Sequence, residues 1–215
     1  RDTLSTLIYT SGTTGRPKGV RLNHMSWVYE GVATKHLDEL DENDLQYLWL
    51  PLSHVFGKAL IAVQLAYGFA SAVDGRIDKI VQGLGEVRPT FMCGAPRIFE
   101  KVRGAVMTGN TGLKAKIARW AFSVGYESID DRLAGRELKG ALAVKYKIAD
   151  KLVFSKLKER LGGRMRFMIS GSAKLSPQVQ RWFYGAGILI VEGYGATETS
   201  AIASLDLPED PHFGS

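Results

Sequence analysis

Short apolar, β-branched runs bounded by Gly, Pro or Asp recur along the chain: Thr6 to Tyr9, Gly19 to Leu22, Leu45 to Leu50, Ala70 to Val73, Thr90 to Met92, Met165 to Ile169 and Ile188 to Val191. Runs of this length and residue type, closed by turn formers, predict short strands. Between several of them lie segments of helical spacing: Val55 to Tyr67, Ile77 to Val87, and Ser176 to Tyr184 with Ser176 as N-cap and Pro177 at the first helical position. Strand and helix alternate, so an α/β fold with a largely parallel sheet and flanking helices is expected.

From Pro96 to Leu161 the pattern changes to long helices punctuated by Gly104, Gly109, Gly112, Gly135 and Gly140, with no convincing strand. This segment reads as a long helical insertion packed against the sheet. Val144, Ile148, Leu152, Val153 and Leu157 are expected on one helical face, while Lys145, Lys147, Lys151, Lys156 and Lys158 crowd toward the others. A solvated basic face accounts for that pattern, and so does weak contact with an anionic membrane.

Composition narrows the class. With 215 residues, 45% hydrophobic and 23% charged, the chain can bury a sizeable core and is not expected to be disordered. The longest charge-free apolar stretch, Ala59 to Val73, falls short of the ~18 residues of a membrane span. The single cysteine, Cys93, excludes an internal disulfide, and four dispersed histidines make a structural zinc site improbable. Arg1 opens onto no signal segment, and a cytoplasmic compartment, peripheral to a membrane at most, is expected. The net charge of +6 is uneven: residues 97–166 hold 17 Lys/Arg against 7 Asp/Glu, and the rest hold 11 against 15. The lysines lack interleaved aromatics or a helix-turn-helix signature, so nucleic acid is not an expected partner.

The strongest chemical signal is Tyr9-Thr10-Ser11-Gly12-Thr13-Thr14-Gly15-Arg16-Pro17-Lys18-Gly19, set between two predicted strands. Glycines let backbone N–H groups converge on an anion, Thr10, Ser11, Thr13 and Thr14 add hydroxyl donors, and Arg16 and Lys18 supply positive charge. That is the chemistry of a polyphosphate grip. It differs from G-x-x-x-x-G-K-[ST], because Pro17 stands where that pattern needs glycine and Gly19 follows Lys18. A loop from Thr13 to Arg16 with such residues is expected to stay mobile until an anion orders it.

This run resembles the signature loop of the adenylate-forming superfamily, which includes acyl-CoA synthetases. Glu192-Gly193-Tyr194-Gly195-Ala196-Thr197-Glu198 is similar to that family's G-Y-G-x-T-E motif. Between the two, Pro51-Leu52-Ser53-His54 resembles its P-L-x-H segment and Gly171-Ser172-Ala173-Lys174-Leu175-Ser176 its adenine-side loop. Gly94-Ala95-Pro96-Arg97-Ile98-Phe99-Glu100-Lys101 is similar to a stretch of the long-chain fatty acid–CoA ligases, closest among the subfamilies. The resemblance covers essentially residues 1–215 and implies part of the large N-terminal AMP-binding domain, with the mobile C-terminal domain, its lysine and the ribose-binding aspartate absent.

The resemblance implies that a carboxylate joins the α-phosphate of ATP, releasing pyrophosphate, and that coenzyme A then displaces AMP. A fatty acid is already ionised at neutral pH, so no general base is required. Stabilisation of phosphate charge should dominate instead. By resemblance Thr13, Thr14 and Lys18, with Ser11, Gly12 and Gly15, hold the outer phosphates. Thr197 touches the α-phosphate, Glu198 orients Mg²⁺, and His54 borders the carboxylate. Tyr194 stacks on adenine beside Gly171, Ser172, Ala173 and Gly195. Each key side chain also has a plain structural reading: Tyr194 as a core aromatic, Glu198 as a charge at a helix N-terminus, His54 as a helix cap. His24, after Asn23, is expected to cap locally, and Cys93 to be an inert strand residue near the acyl side. On this reading the partners are fatty acid, ATP and coenzyme A, and the 215-residue chain by itself is expected to make no acyl-CoA. An adenylating ligase for another carboxylate, or a non-catalytic nucleotide- or lipid-binding module, are the alternatives.

Overall fold

The structure is a computed structural model and describes residues 2–11, 15–109 and 111–214. The chain opens with β1 (Leu4–Thr10) and β2 (Lys18–Asn23), paired antiparallel from Leu4 opposite Asn23 to Thr10 opposite Lys18. They form a two-stranded sheet of their own, not members of the parallel sheet. The connection across 11–17 dictates this, since a parallel crossover needs roughly a dozen residues or more. Helix α1 (His24–Lys35) follows directly. Asn23, not His24, caps it: Asn23 Oδ1 accepts the Ser26 N–H at 2.9 Å, and His24 is the first helical residue.

The main sheet is then laid down by β3 (Leu45–Leu48), α2 (Val55–Tyr67), β4 (Ala70–Val73), α3 (Ile80–Val87) after a 3₁₀ turn at Ile77–Lys79, and β5 (Phe91–Gly94). The helical insertion comes next, as α4 (Pro96–Thr108), α5 (Gly112–Glu127), α6 (Ile129–Leu133), α7 (Gly140–Ala149) and α8 (Ser155–Arg160). The chain returns through β6 (Phe167–Ser170), α9 (Pro177–Gly185), β7 (Leu189–Tyr194) and the short β8 (Ser204–Leu205). The strand order is β4-β3-β5-β6-β7-β8, parallel throughout except for β8, which pairs antiparallel with β7.

Successive strand residues point to opposite faces, and both faces are covered, which explains why the strands read as continuous apolar runs. Tyr47, Met92, Met168 and Ile190 face a core shared with Leu84, Phe99, Phe122, Phe154, Trp182 and Phe183 of the α3–α9 layer. Leu48, Phe91, Cys93 and Phe167 face the other way, onto Phe56, Leu60 and Val63 of α2. A third cluster of Ile8, Leu22, Val55, Ala59 and Ala201 fastens the β1–β2 hairpin to α2. At the amino edge of the sheet, buried Asp44 accepts from Arg166 at 2.7 and 2.8 Å, from the Thr90 hydroxyl and from the Asp41 N–H. Burial alone would raise its carboxyl, but these donors hold it below the usual carboxylate range. One side chain thereby ties together the segments entering β3, β5 and β6.

The insertion is helical as expected, but its apolar faces are not those anticipated. Val153 and Leu157 do turn toward the core, together with buried Ala149 and Phe154, whereas Val144, Ile148 and Leu152 are exposed. The reason is geometric: nine residues from Val144 to Val153 make about two and a half helical turns, so the two point to opposite sides. A π-helical segment at Asp150–Phe154 joins α7 to α8, and Phe154 packs there edge-on against Phe122, with ring centroids 5.3 Å apart. Among the described residues no helix is long and apolar enough to cross a membrane.

Candidate functional site

In open α/β sheets, ligands bind at the carboxyl ends of the strands. Here the segments leaving β3, β6 and β7 converge at that edge and carry His54, Gly171 to Ser176, and Gly195 to Glu198. Two cavities lie there, about 240 and 410 Å³, and they share Ser172, Gly193, Tyr194 and Gly195 as a common wall.

The larger cavity is lined largely by polar loop residues: Ala173, Lys174, Glu192, Ser204 and Asp206 join the common wall. Its loop is pinned at both ends. Gly171 N–H donates to Gly94 O at 3.0 Å, and a side chain at Gly171 would meet the Phe56 ring at 2.9 Å, so no larger residue fits without moving the ring. Ser172 takes a left-handed backbone at φ 70°. The Leu175 N–H then donates to Glu192 Oε1 at 2.8 Å, while buried Glu192 Oε2 has no partner among the described residues. Glu192 had no role assigned from sequence. Its signal was an acid inside an Ile-Val strand run, a position that calls for a specific partner. Tyr194 is exposed at the rim, which removes the core-aromatic reading.

Beyond β7 the chain makes a tight 3₁₀ turn at Thr197–Thr199, closed by the Thr199 hydroxyl, which accepts the Ala196 N–H at 2.9 Å. Ser200 and Ala201 both have positive φ, and the chain doubles back so closely that a Cβ on Gly195 would stand 1.3 Å from Ala201 O. Thr197 lines the smaller cavity, and Glu198 projects outward, exposed. Behind the turn, Glu30 of α1 is buried with Oε1 unpartnered. Burial pushes its carboxyl up to about 7, against the opposing pull of the Ile202 N–H.

Strand β2 runs beside this turn. Lys18, Ser11, Arg16 and Gly15 are exposed, Gly15 at φ 85°. Gly12, Thr13 and Thr14 lie outside the described residues, and with them half of the loop from Thr13 to Arg16 that is expected to be mobile. Ser11, Gly15 and Lys18 line neither cavity.

The smaller cavity is apolar. Val55, Phe56, Leu60, Val63, Tyr67, Phe91, Phe167 and Ile169 form its body, with Thr197 and the common wall at one end. His54 lines it and also caps α2, its Nδ1 accepting the Phe56 N–H at 3.2 Å, so the capping reading holds and the ring's Nε2 is left for other use. Cys93 lies in the cavity wall, and burial pushes its thiol up to about 12, as suits an unreactive strand residue.

Among the described residues no group of three His, Cys, Asp or Glu could cage a metal. A lone exposed carboxylate, Glu198, fits instead a Mg²⁺ that keeps waters and takes phosphate oxygens as its other ligands.

The model of the AMP-binding enzyme family matches residues 1–215. The chain belongs to that family. Among relatives of this AMP-binding chain, the human long-chain-fatty-acid–CoA ligase ACSBG2 is 38% identical over 205 residues, covering 90% of this chain and 30% of its own length. Fatty acyl-CoA synthetase A of Dictyostelium discoideum is 34% identical over 218 residues, covering 98% of this chain and 31% of its own length. The AMP-binding chain thus spans about a third of each of these relatives. Of solved structures, the N-terminal domain of FACL13 from Mycobacterium tuberculosis superposes with a TM-score of 0.64 at 20% identity, over 98% of this chain and 41% of that one. O-succinylbenzoate coenzyme A synthetase from Bacillus subtilis, in complex with ATP and magnesium ion, gives 0.62 at 18%, over 97% and 33%. The fold is that of these N-terminal domains.

Proposed function

We propose that this chain supplies the phosphate, magnesium and adenine contacts, and an acyl cavity, for the ATP-dependent activation of a long-chain fatty acid to acyl-adenylate and then acyl-CoA. One observation carries the reading: an apolar cavity and a polar cavity meet at a wall of small residues, Ser172, Gly193 and Gly195, with Tyr194. An acyl chain in the first and a nucleotide base in the second place carboxylate and α-phosphate together at that wall.

A carboxylate oxygen attacks the α-phosphorus there, the bond to the bridging oxygen of the β-phosphate breaks, and pyrophosphate leaves. The thiol sulfur of coenzyme A then attacks the acyl carbon, its proton passing to solvent, and AMP departs with the bonding electrons. Thr197, at the end of the apolar cavity, donates to an α-phosphate oxygen on this reading, and Lys18, Ser11, Gly12, Thr13, Thr14 and Gly15 serve the outer phosphates. Tyr194 covers one face of the base, and Ser172, Ala173 and Gly195 line its pocket, with Gly171 at the start of the same loop facing the apolar cavity. Glu192 Oε2, buried and unpartnered, suits an exocyclic amine. His54 offers Nε2–H toward the carboxylate. Bound Mg²⁺ supplies charge neutralisation at the phosphates, and Glu198 orients it.

Pyrophosphate release from ATP and palmitate by the protein at its full natural length is the test. Glu198→Gln keeps size and removes charge, and is expected to slow release about a hundredfold, or ~3 kcal/mol. Unchanged release at saturating Mg²⁺ assigns the wrong acid. A preference for short or aromatic carboxylates over palmitate refutes the long-chain assignment while leaving the adenylating one standing.

A further inference from the structure

We propose that the ridge formed by α7 and α8 is a docking surface for membranes containing anionic phospholipid. Residues 140–160 form one continuous helical rod, α7, the π segment and α8, about 30 Å long. Its inner side is spent on the core through Ala149, Phe154 and Leu157. Its outer side carries a stripe at i, i+4, i+8: Val144 is 59% exposed, Ile148 46% and Leu152 44%. Lys147 and Lys151 follow the same spacing along one flank, Lys145 stands on the other, and Lys156 lies one turn beyond Leu152. All four lysines are exposed, and no ion pair engages them among the described residues. Of the two acids in the rod, Asp150 is already neutralised by Lys158 at 2.8 Å, which leaves Glu159 near the end.

The charge around the stripe selects its occupant. A wider exposed apolar face exists on α1, formed by Met25, Val28, Tyr29 and Val32, but no cation stands between His24 and Lys35 to frame it. A neutral face of that kind suits a protein surface. On the α7–α8 ridge the arrangement is an apolar line edged on both sides by flexible ammonium groups. These can rise to phosphate level while the valine, isoleucine and leucine enter the acyl boundary. A water-exposed stripe of three branched side chains would gain little from another protein that must also neutralise four lysines, whereas an anionic bilayer meets both demands at once.

Flotation of the full-length protein with phosphatidylcholine vesicles, with and without phosphatidylserine, tests this. Binding is expected to need phosphatidylserine and to fall with rising salt. Lys147→Ser with Lys151→Ser should weaken it about fivefold per lysine. Val144→Ser with Ile148→Ser should weaken it comparably, both variants melting at the wild-type temperature. Pyrophosphate release from ATP and a water-soluble carboxylate should be unchanged in both, so that membrane contact and ligase chemistry are read separately. Three results overturn the proposal: equal binding to vesicles lacking phosphatidylserine, binding that neither variant alters, or a lowered melting temperature in the Val144→Ser, Ile148→Ser variant, which would place the stripe against protein.

Discussion

Replacing Glu30 by Gln should remove a pH dependence from the stability of this protein. Glu30 is 2% exposed, and it sits where α1 meets the segment that follows the Thr197–Thr199 turn. Desolvation raises its carboxyl from 4.5 to about 7, with the Ile202 N–H only partly opposing. In the unfolded chain the same group titrates near 4.5, so between that value and about 7 the folded state holds a proton the unfolded state has released. Stability is therefore fully retained below that window and falls as pH rises through it. At 1.36 kcal/mol per unit the total loss is about 3 kcal/mol. Gln keeps the shape and never ionises. Urea melts of wild type and Glu30→Gln, taken at intervals from about pH 5 to about pH 8, should diverge by roughly 2.5 kcal/mol across the range, the wild type losing more. The subtraction cancels other titrating groups, Asp44 and Glu39 included. Parallel curves would refute the reasoning, because they would mean that water or a cation reaches the carboxylate.

Four further outcomes are accessible. Gly195→Ala places a Cβ 1.3 Å from Ala201 O, so the turn must open. Adenylation should collapse, with a stability loss of about 2 kcal/mol in thermal melts. Glu192→Leu leaves the buried Leu175 N–H without its acceptor and should raise the KM for ATP about tenfold, while Glu192→Gln, which keeps an acceptor for that N–H but turns an amide NH2 toward the exocyclic amine, should recover the stability and not the KM. Asp44→Asn breaks the charged bond to Arg166 and should cost about 2 kcal/mol at neutral pH, measured by denaturant melts, with the difference shrinking in acid as the Asp44 carboxylate protonates. His54→Ala removes the α2 cap, about 1 kcal/mol, and equal melts for wild type and variant would show that the Phe56 N–H finds water instead.

What the chain declares in sequence follows from how local each cause is. Helix α2 runs Val55–Tyr67 and β4 runs Ala70–Val73, as the spacing between Pro51 and Gly68 and the short apolar run beyond it predict. The parallel sheet was legible because its strands are buried on both faces and separated by helical spacing. The strands of the hairpin were legible but their pairing was not, because strand alternation alone says nothing of direction, which the short connection decides. The stripe at Val144, Ile148 and Leu152 was misplaced because apolar character was counted without its angle around the helix. Asp44 and Arg166, 122 residues apart, carried no signal at all, since only the register of β3 against β5 and β6 brings them together. At the site, the glycines of the signature were visible but their necessity was not: Gly195 is required by the return of the chain at Ala201, which no local pattern encodes.

The wall shared by the two cavities divides labour between parts of the chain that can change separately. Leu60, Val63 and Tyr67, which shape the apolar side, belong to the middle and end of α2, while the polar side is built from the 171–176 loop and the β7–β8 connection. On the proposed function, a lineage could therefore retune the length or bulk of the acid it accepts by substitutions along one helix, leaving nucleotide recognition untouched. Descendants of such a scaffold would diverge fastest along α2 and slowest at Ser172, Gly193 and Gly195, where the same few atoms line both cavities.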